Sequence, residues 1–352
     1  MEIGILGLPK SGKSTLFEIM TSVKSSQLHN GTVMRAQASV PDERLNHLAE
    51  IYKPVKVSRA KVSFVDIRAM SKQTWDDIRQ NISNESGILH IVNGFSLSDV
   101  KSSIAAYHQL EDELILSDLS IVRRKLRRLA MPSKIKITRQ ENVQNVLLPK
   151  LKECLEAGKP LRAAGLTNEE ILTLRSFSFW TIKPEMVVVN VAEDNFSFAD
   201  AFAVEAKLAE PVMGIRFKFQ AELTELDPTD RKQFLDVIGA QPAFDRIIRA
   251  AFSLLGRISF YTVGQDEVKA WTTPLQTKAS QTAKQVANAI QDDFERDFIN
   301  AEIIQYDDFI AHDGSMVKIK SAGLLRLGGK EYVVKDGDII TFRFNVFPRL
   351  KR

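Results

Sequence analysis

Eight residues near the N-terminus, Gly7-Leu8-Pro9-Lys10-Ser11-Gly12-Lys13-Ser14, restrict the fold more than any other part of the chain. They follow the apolar run Ile3 to Leu6 and lead into Thr15-Leu16-Phe17-Glu18-Ile19-Met20, so the spacing G-x-x-x-x-G-K-[ST] predicts strand, loop, helix. In such a loop the two glycines let backbone N–H groups turn onto phosphate oxygens. The lysine neutralises the outer phosphates, and the serine hydroxyl reaches Mg²⁺. A glycine turn that merely joins strand to helix needs neither Lys13 nor Ser14. The expected fold class is α/β, a P-loop architecture with a mostly parallel sheet.

At 352 residues the chain exceeds a single modest core, so two or three domains are expected. Its hydrophobic share of 44% and charged share of 26% are those of an ordinary globular protein. No apolar run approaches the roughly 20 residues of a membrane helix, and the chain enters the loop strand without a signal peptide. The expectation is a cytoplasmic protein with no membrane association. A single cysteine, Cys154, leaves no internal disulfide and no cysteine-based metal cluster. The five histidines lack ligand spacing. The net charge of +4 is mild, so its distribution matters more than its sum.

Residues 25–41 show no clear periodicity. Lys61-Val62-Ser63-Phe64-Val65-Asp66 then reads as a buried strand ending in a carboxylate. Beside a P-loop, an aspartate so placed holds Mg²⁺ directly or through water. The usual continuation D-x-x-G presents a glycine N–H to the γ-phosphate, but here the run is Asp66-Ile67-Arg68-Ala69. Alanine does not easily adopt the positive φ open to glycine, so the γ-phosphate switch is expected to be altered or lost.

Gly87 to Val92 reads as the next parallel strand, and the pattern then turns helical. Ile115, Leu119, Val122, Leu126 and Leu129 alternate intervals of four and three, the seam of a coiled coil. Met131-Pro132-Ser133 breaks it. A second helix runs through Val143, Leu147, Leu151 and Cys154, with a kink at Pro149, and stops at Gly158. Around the turn of this helical hairpin Arg123, Arg124, Lys125, Arg127, Arg128, Lys134, Lys136 and Arg139 accumulate, with no acidic residue between Asp118 and Glu141. Two readings stand: a solvated face near a helix C-terminus, or a nucleic-acid or ribosome contact.

The sheet resumes at Pro184 to Val189 and stops at Asn190-Val191-Ala192-Glu193. GTPases carry N-K-x-D at this strand end, its aspartate accepting from guanine N1–H and the 2-amino group. Adenine offers an acceptor at N1, and here Glu193 replaces that aspartate while Val191 replaces the lysine. Relaxed or adenine-preferring recognition is expected.

These residues resemble the YchF or Obg-like ATPases, a branch of the translation-factor class of P-loop GTPases. The resemblance rests on the P-loop through Phe17, Val40-Pro41-Asp42 with Arg44-Leu45, Phe64 to Ile67, Asn190 to Asp194, Ala270-Trp271-Thr272, Asp292 to Arg296, Asp336-Gly337-Asp338, and Phe342 to Val346. It implies a nucleotide (G) domain over residues 1–98 and 178–257, the inserted hairpin over 99–177, and a C-terminal TGS domain, a β-grasp module, over 258–352. Arg257 to Val263 and Lys269 to Thr273 read as paired strands, Ala279 to Ile290 as a helix, and Lys330 to Val346 as a strand, an Asp-Gly turn and a final strand.

The resemblance further implies ATP or GTP as ligand. Gly7, Pro9, Lys10, Ser11, Gly12, Lys13, Ser14 and Thr15 would hold its phosphates, and Asn190, Val191 and Glu193 its base. Ser14, Asp66 and Thr32 would serve Mg²⁺, with Thr32 matched to the γ-phosphate sensor. It implies a monomer that meets the ribosome or RNA through the hairpin and the TGS domain. The chain departs from the family where Lys10-Ser11 replaces Asn-Val, where Asp66 to Ser71 lacks D-I-A-G-L-V-K-G, where the second-switch glycines are missing, and where Arg216-Phe217-Lys218 replaces Ser-Ala-Lys. Slow ATP, and also GTP, hydrolysis in a translation-associated role is the expectation. The alternative is a non-hydrolysing, nucleotide-dependent ribosome- or RNA-binding module.

Overall fold

A computed structural model describes residues 2–21, 33–67, 75, 78–79, 87–96, 99–130, 139–193, 195, 197–237, 243–275, 277–278, 281–282 and 298–344. In chain order its elements begin β1 (Glu2–Gly7), α1 (Lys13–Thr21), β2 (Val33–Ser39), α2 (Glu43–Tyr52), β3 (Lys56–Ser58), β4 (Lys61–Ile67) and β5 (Gly87–Gly94). Then come α3 (Val100–Leu129), α4 (Arg139–Glu156), α5 (Asn168–Thr173), β6 (Glu185–Val191), α6 (Phe198–Ala206), β7 (Val212–Ile215), α7 (Phe217–Glu225), α8 (Pro228–Val237) and α9 (Ala243–Leu254). The chain closes with β8 (Arg257–Thr262), β9 (Glu267–Pro274), β10 (Phe298–Gln305), α10 (Tyr306–Ala311), α11 (Met316–Ser321), β11 (Arg326–Gly328) and β12 (Asp338–Phe344). Two compact units result, Met1–Ala38 with Val62–Ile247, and Ser39–Lys61 with Ile248–Arg352.

The first unit is built on a six-stranded sheet of order β2-β4-β1-β5-β6-β7. Strand β1 pairs in parallel with β4 on one side and β5 on the other, and β5, β6 and β7 continue in parallel. Every residue of β6 is buried, as a strand covered on both faces requires. The chain steps from β1 outward to β4 and then across to β5, which makes β1 the switch point, where ligands of such sheets lie at the carboxyl ends. Strand β2 corrects the reading of residues 25–41. Its alternation is real, Met34 and Ala38 buried against exposed Arg35 and Gln37, but its small alanines give little hydrophobic signal.

The two long helices form as expected. Ile115, Leu119 and Val122 of α3 bury against Leu147, Leu148, Leu151 and Leu155 of α4, while Leu126 is only partly covered and Leu129 is 36% exposed. Val143 was expected inside but is 42% exposed. Buried Gln144 takes the inward place, its Nε2 donating to Thr173 O at 2.8 Å and Ser176 Oγ at 3.1 Å. Helix α4 continues through Pro149. Residues 131–138, with Lys134 and Lys136, lie outside the described residues.

Midway along α3, between the seam residues Ile115 and Leu119, fully buried Asp118 accepts from Arg79 Nη1 (2.6 Å), Trp180 N (3.0 Å), Thr181 N (2.8 Å) and Thr181 Oγ1 (2.7 Å). Nearby, a second buried network joins helix to sheet. His90 Nδ1 on β5 meets Glu185 Oε1 on β6 at 2.9 Å, and Arg162 pairs with Glu111 on α3 (2.6 Å), with Glu210 (2.7 Å) and with Glu185. Burial, with the neighbouring Glu185 charge, pushes the Glu111 carboxyl up to about 8. Glu185 is also disfavoured by burial, yet its bond to His90 and the Arg162 charge hold it below the usual carboxylate range.

The second unit is a mixed sheet of order β11-β10-β12-β8-β9-β3. Strands β8 and β9 pair antiparallel as read from the sequence, and β3 adds in parallel to the far edge of β9. Helix α2 is capped by Asp42, which accepts from Arg44 N, and Tyr52 at its end stacks on Phe309 with centroids 5.9 Å apart. Arg44 is gripped by Asp42 (3.1 Å) and Asp336 (2.7 Å), and the Tyr261 hydroxyl donates to Asp42. The strand expected from Lys330 does not form. That stretch is a turn joined to Lys278 by one bridge at Val333, because Asp338 Oδ2 gathers Lys335 N and Tyr332 OH and curls the chain before the Gly337 turn. The helix expected over residues 279–290 falls largely outside the described residues.

Candidate nucleotide site

The loop leaves the carboxyl end of β1 at Gly7. A Cβ there would lie 2.5 Å from Ile91 O, so the close approach of β5 demands glycine. At Gly12, φ is 101° and a Cβ would stand 2.7 Å from the Phe217 ring. Between them Pro9 and Lys10 are exposed, Lys10 with φ 62° in the left-handed region, while Ser11 is buried. Lys13 folds back over the loop, its ammonium donating to Gly7 O at 2.6 Å and Leu8 O at 3.0 Å. Burial lowers its pKa, and the charge of Asp66 works against that shift.

Ser14 and Thr15, both half-buried, open α1. Ser14 Oγ donates to Asp66 Oδ2 at 3.4 Å, so the carboxylate at the end of β4 arrives behind the loop, level with Ile5 of β1. The pair offers a hydroxyl and a carboxylate and no softer ligand, a donor set that fits a hard ion such as Mg²⁺.

Asn190 lies at the end of β6, where its Nδ2 donates to Ser11 O at 3.3 Å and its Oδ1 accepts from Phe217 N at 3.3 Å. Its described contacts therefore fasten the loop to the start of α7. Val191 is buried beside it. Glu193 is exposed and faces Lys218 Nζ at 3.5 Å. Thr32 lies outside the described residues, as do residues 68–74. The sequence reading placed Phe217 only within Arg216-Phe217-Lys218, the replacement of the Ser-Ala-Lys base-contact segment; in the structure it opens α7 with its ring against Gly12. Arg216 next to it stands 4.6 Å over the Phe219 ring.

A glycine-bounded loop at the switch point of a mostly parallel sheet, with a buried carboxylate behind its serine, defines the class of P-loop α/β proteins. The ribosome-binding ATPase YchF of Bacillus subtilis is 34% identical over 97% of this chain and 99% of its own length. Obg-like ATPase 1 of Oryza sativa subsp. japonica is 32% identical over 98% of this chain and 92% of its own. The chain belongs to the YchF/Obg-like ATPase family. A family model for the YchF GTPase C-terminal region, described as a protein of unknown function (DUF933), matches residues 257–345. The structure of the Schizosaccharomyces pombe YchF GTPase shares the fold, with a TM-score of 0.80, 23% identity and 97% coverage of both chains. Among the described residues no helix is long and apolar enough to cross a membrane.

Proposed function

We propose that the chain is a nucleotide-dependent factor that associates with the ribosome in the cytoplasm and hydrolyses ATP slowly, with GTP as a lesser substrate. The observation that carries this reading is the Ser14–Asp66 contact behind a complete loop whose Lys13 is drawn inward. The B. subtilis relative's description as a ribosome-binding ATPase supports it. Backbone N–H groups from Gly7 to Thr15 cradle the phosphates, and Lys13 exchanges its two carbonyl partners for phosphate oxygens. Ser14 and Asp66 would hold Mg²⁺, which when bound would neutralise charge on the outer phosphates. No general base is required of the chain, because loop hydrolases act chiefly by positioning and charge neutralisation.

For the base, Glu193 in place of a guanine-reading aspartate supports ATP binding at least as tightly as GTP. The three-part division into nucleotide domain, hairpin and TGS module is part of this proposal. Phosphate release measured with and without ribosomes tests it. Turnover that needs Lys13 supports hydrolysis; nucleotide binding without any release would favour the non-hydrolysing module. A hundredfold guanine preference, about 2.7 kcal/mol, would overturn the assignment of the base contact.

A further inference from the structure

The second unit carries a groove of about 700 Å³ between α2 and the edge strand β3, bordered by Asn46, Ala49, Val57, Arg59 and Lys61. The segment 53–61 contributes Lys53, Lys56, Arg59 and Lys61 and no carboxylate, and all four cations are exposed. Glu267 on the paired strand β9 is engaged by Lys56 at 3.4 Å and by Ser58 Oγ at 2.5 Å, which fixes β3 in place. Within the groove the carboxylate is Glu50 alone. Arg59 is held in position by Asn46 Oδ1, 2.6 Å from Nη2. A guanidinium held by one nitrogen keeps further N–H groups for a planar, anionic partner.

We infer that this groove binds the phosphate backbone of RNA, with Arg59 and Lys61 of its lining, and Lys53 at the end of the helix α2 that borders it, as its principal contacts. The inference rests on the ribosome-association reading and names the surface and the chemistry of that contact. Cations on an edge strand also discourage pairing with other strands. Here, however, Lys53 caps α2 and Arg59 and Lys61 lie past the end of β3, so edge protection does not account for them. Charge complementarity selects phosphate as the occupant. A protein segment adding to β3 would take its affinity from backbone pairing and would need acidic residues of its own to meet the three cations, whereas a phosphate backbone meets all three by its chemistry alone.

The test measures binding of the full chain to a 20-base-pair duplex RNA and, separately, to purified ribosomes, across a salt series. Removing Lys53, Arg59 and Lys61 together by alanine should weaken duplex binding at least tenfold near 100 mM salt. It should also flatten the log affinity against log salt slope by about 2 to 3, roughly 0.9 per lost phosphate contact. The charge-keeping set Lys53→Arg, Arg59→Lys and Lys61→Arg should restore most of both. An unchanged slope in the triple alanine variant overturns the inference, as does an original chain that binds no RNA. Ribosome binding that resists salt and the alanines but is lost with Val57→Pro would assign the edge to a peptide strand, and also overturns it. If the original chain binds the duplex and loses it on substitution yet ignores ribosomes, the ribosome reading fails and the RNA groove stands.

Discussion

The side-chain amide of Asn190 donates to the main-chain carbonyl of Ser11, 3.3 Å away, and so closes the phosphate loop against the end of a strand 179 residues along the chain. The same amide accepts from Phe217 N, so one buried side chain sets the distance between two loops. Asn190→Leu should leave Ser11 O and the Phe217 N–H without this partner, costing about 2–6 kcal/mol at 1–3 per orphaned group. Urea unfolding reads the stability loss. Weaker ATP binding should accompany it, and full retention of both would show that the loop is held by other means.

Replacing Lys13 with alanine should lower ATP and GTP affinity by at least an order of magnitude. The fold should survive at a modest cost in stability, since the loss is confined to two carbonyl contacts of one loop, a buried one at Gly7 and a partly buried one at Leu8. Equilibrium titration with each nucleotide, beside a circular dichroism spectrum, separates the two effects.

Gly12→Ala puts a methyl group 2.7 Å from the Phe217 ring at a φ of 101°. Loop geometry should fail before global stability does. The expected result is a loss of nucleotide binding comparable with that of Lys13→Ala, with an unfolding midpoint only modestly lower. Normal affinity would mean that the ring yields at little cost.

The Glu111 carboxyl titrates at about 8 in the folded chain against an ordinary 4.5, so the folded state binds its proton more tightly than the unfolded chain. Its contribution to stability is complete below pH 4.5 and drains away as pH rises through 8. His90, Tyr107, Arg162, Glu185 and Glu210 face the same cluster, so the comparison must be made against a matched variant. Glu111→Gln should flatten the decline in unfolding free energy between pH 5 and 9, an effect on the order of a few kcal/mol. Parallel curves for the two proteins would contradict this assignment.

Asp118→Asn removes the negative partner of Arg79 in a fully buried place. The guanidinium keeps its bonds to Ser178 O and Ser117 Oγ but loses that carboxylate, which should cost about 3–5 kcal/mol. A double variant with Arg79→Met should recover part of the loss; thermal and urea unfolding measure both.

Much of the first unit was legible because its signals are local. Gly7 and Gly12 are demanded by backbone geometry within one loop, and the strands that flank it are unbroken apolar runs. The α3–α4 seam follows a period visible in the residues alone. What escaped reading depends on contacts between residues far apart. Asn190 reads from the sequence as a base contact, and its bonds to Ser11 and Phe217 are further contacts that no local signal marks. Arg162 lies 51 residues from Glu111, and nothing nearby marks either as buried. Strand β2 was hidden by its alanines. The missing strand after Lys330 was suggested by Tyr332-Val333-Val334, whose β-branched character lost to the hydrogen bonds collected by Asp338.

Because Ser39–Lys61 completes a sheet whose remaining strands begin at Arg257, the second unit cannot assemble as its chain is synthesised. Leu45 and Leu48, both fully buried in the finished unit, emerge before all of residues 62–247. At about 5–20 residues per second they wait on the order of 10–40 s for the strands that cover them. A fragment cut at residue 257 would inherit the complementary defect, a β9 edge without β3 and an Asp336 without Arg44. The C-terminal part of the second unit is therefore inseparable from a piece near the N-terminus, and a nascent chain released early would carry an amphipathic helix whose apolar face has nowhere to go.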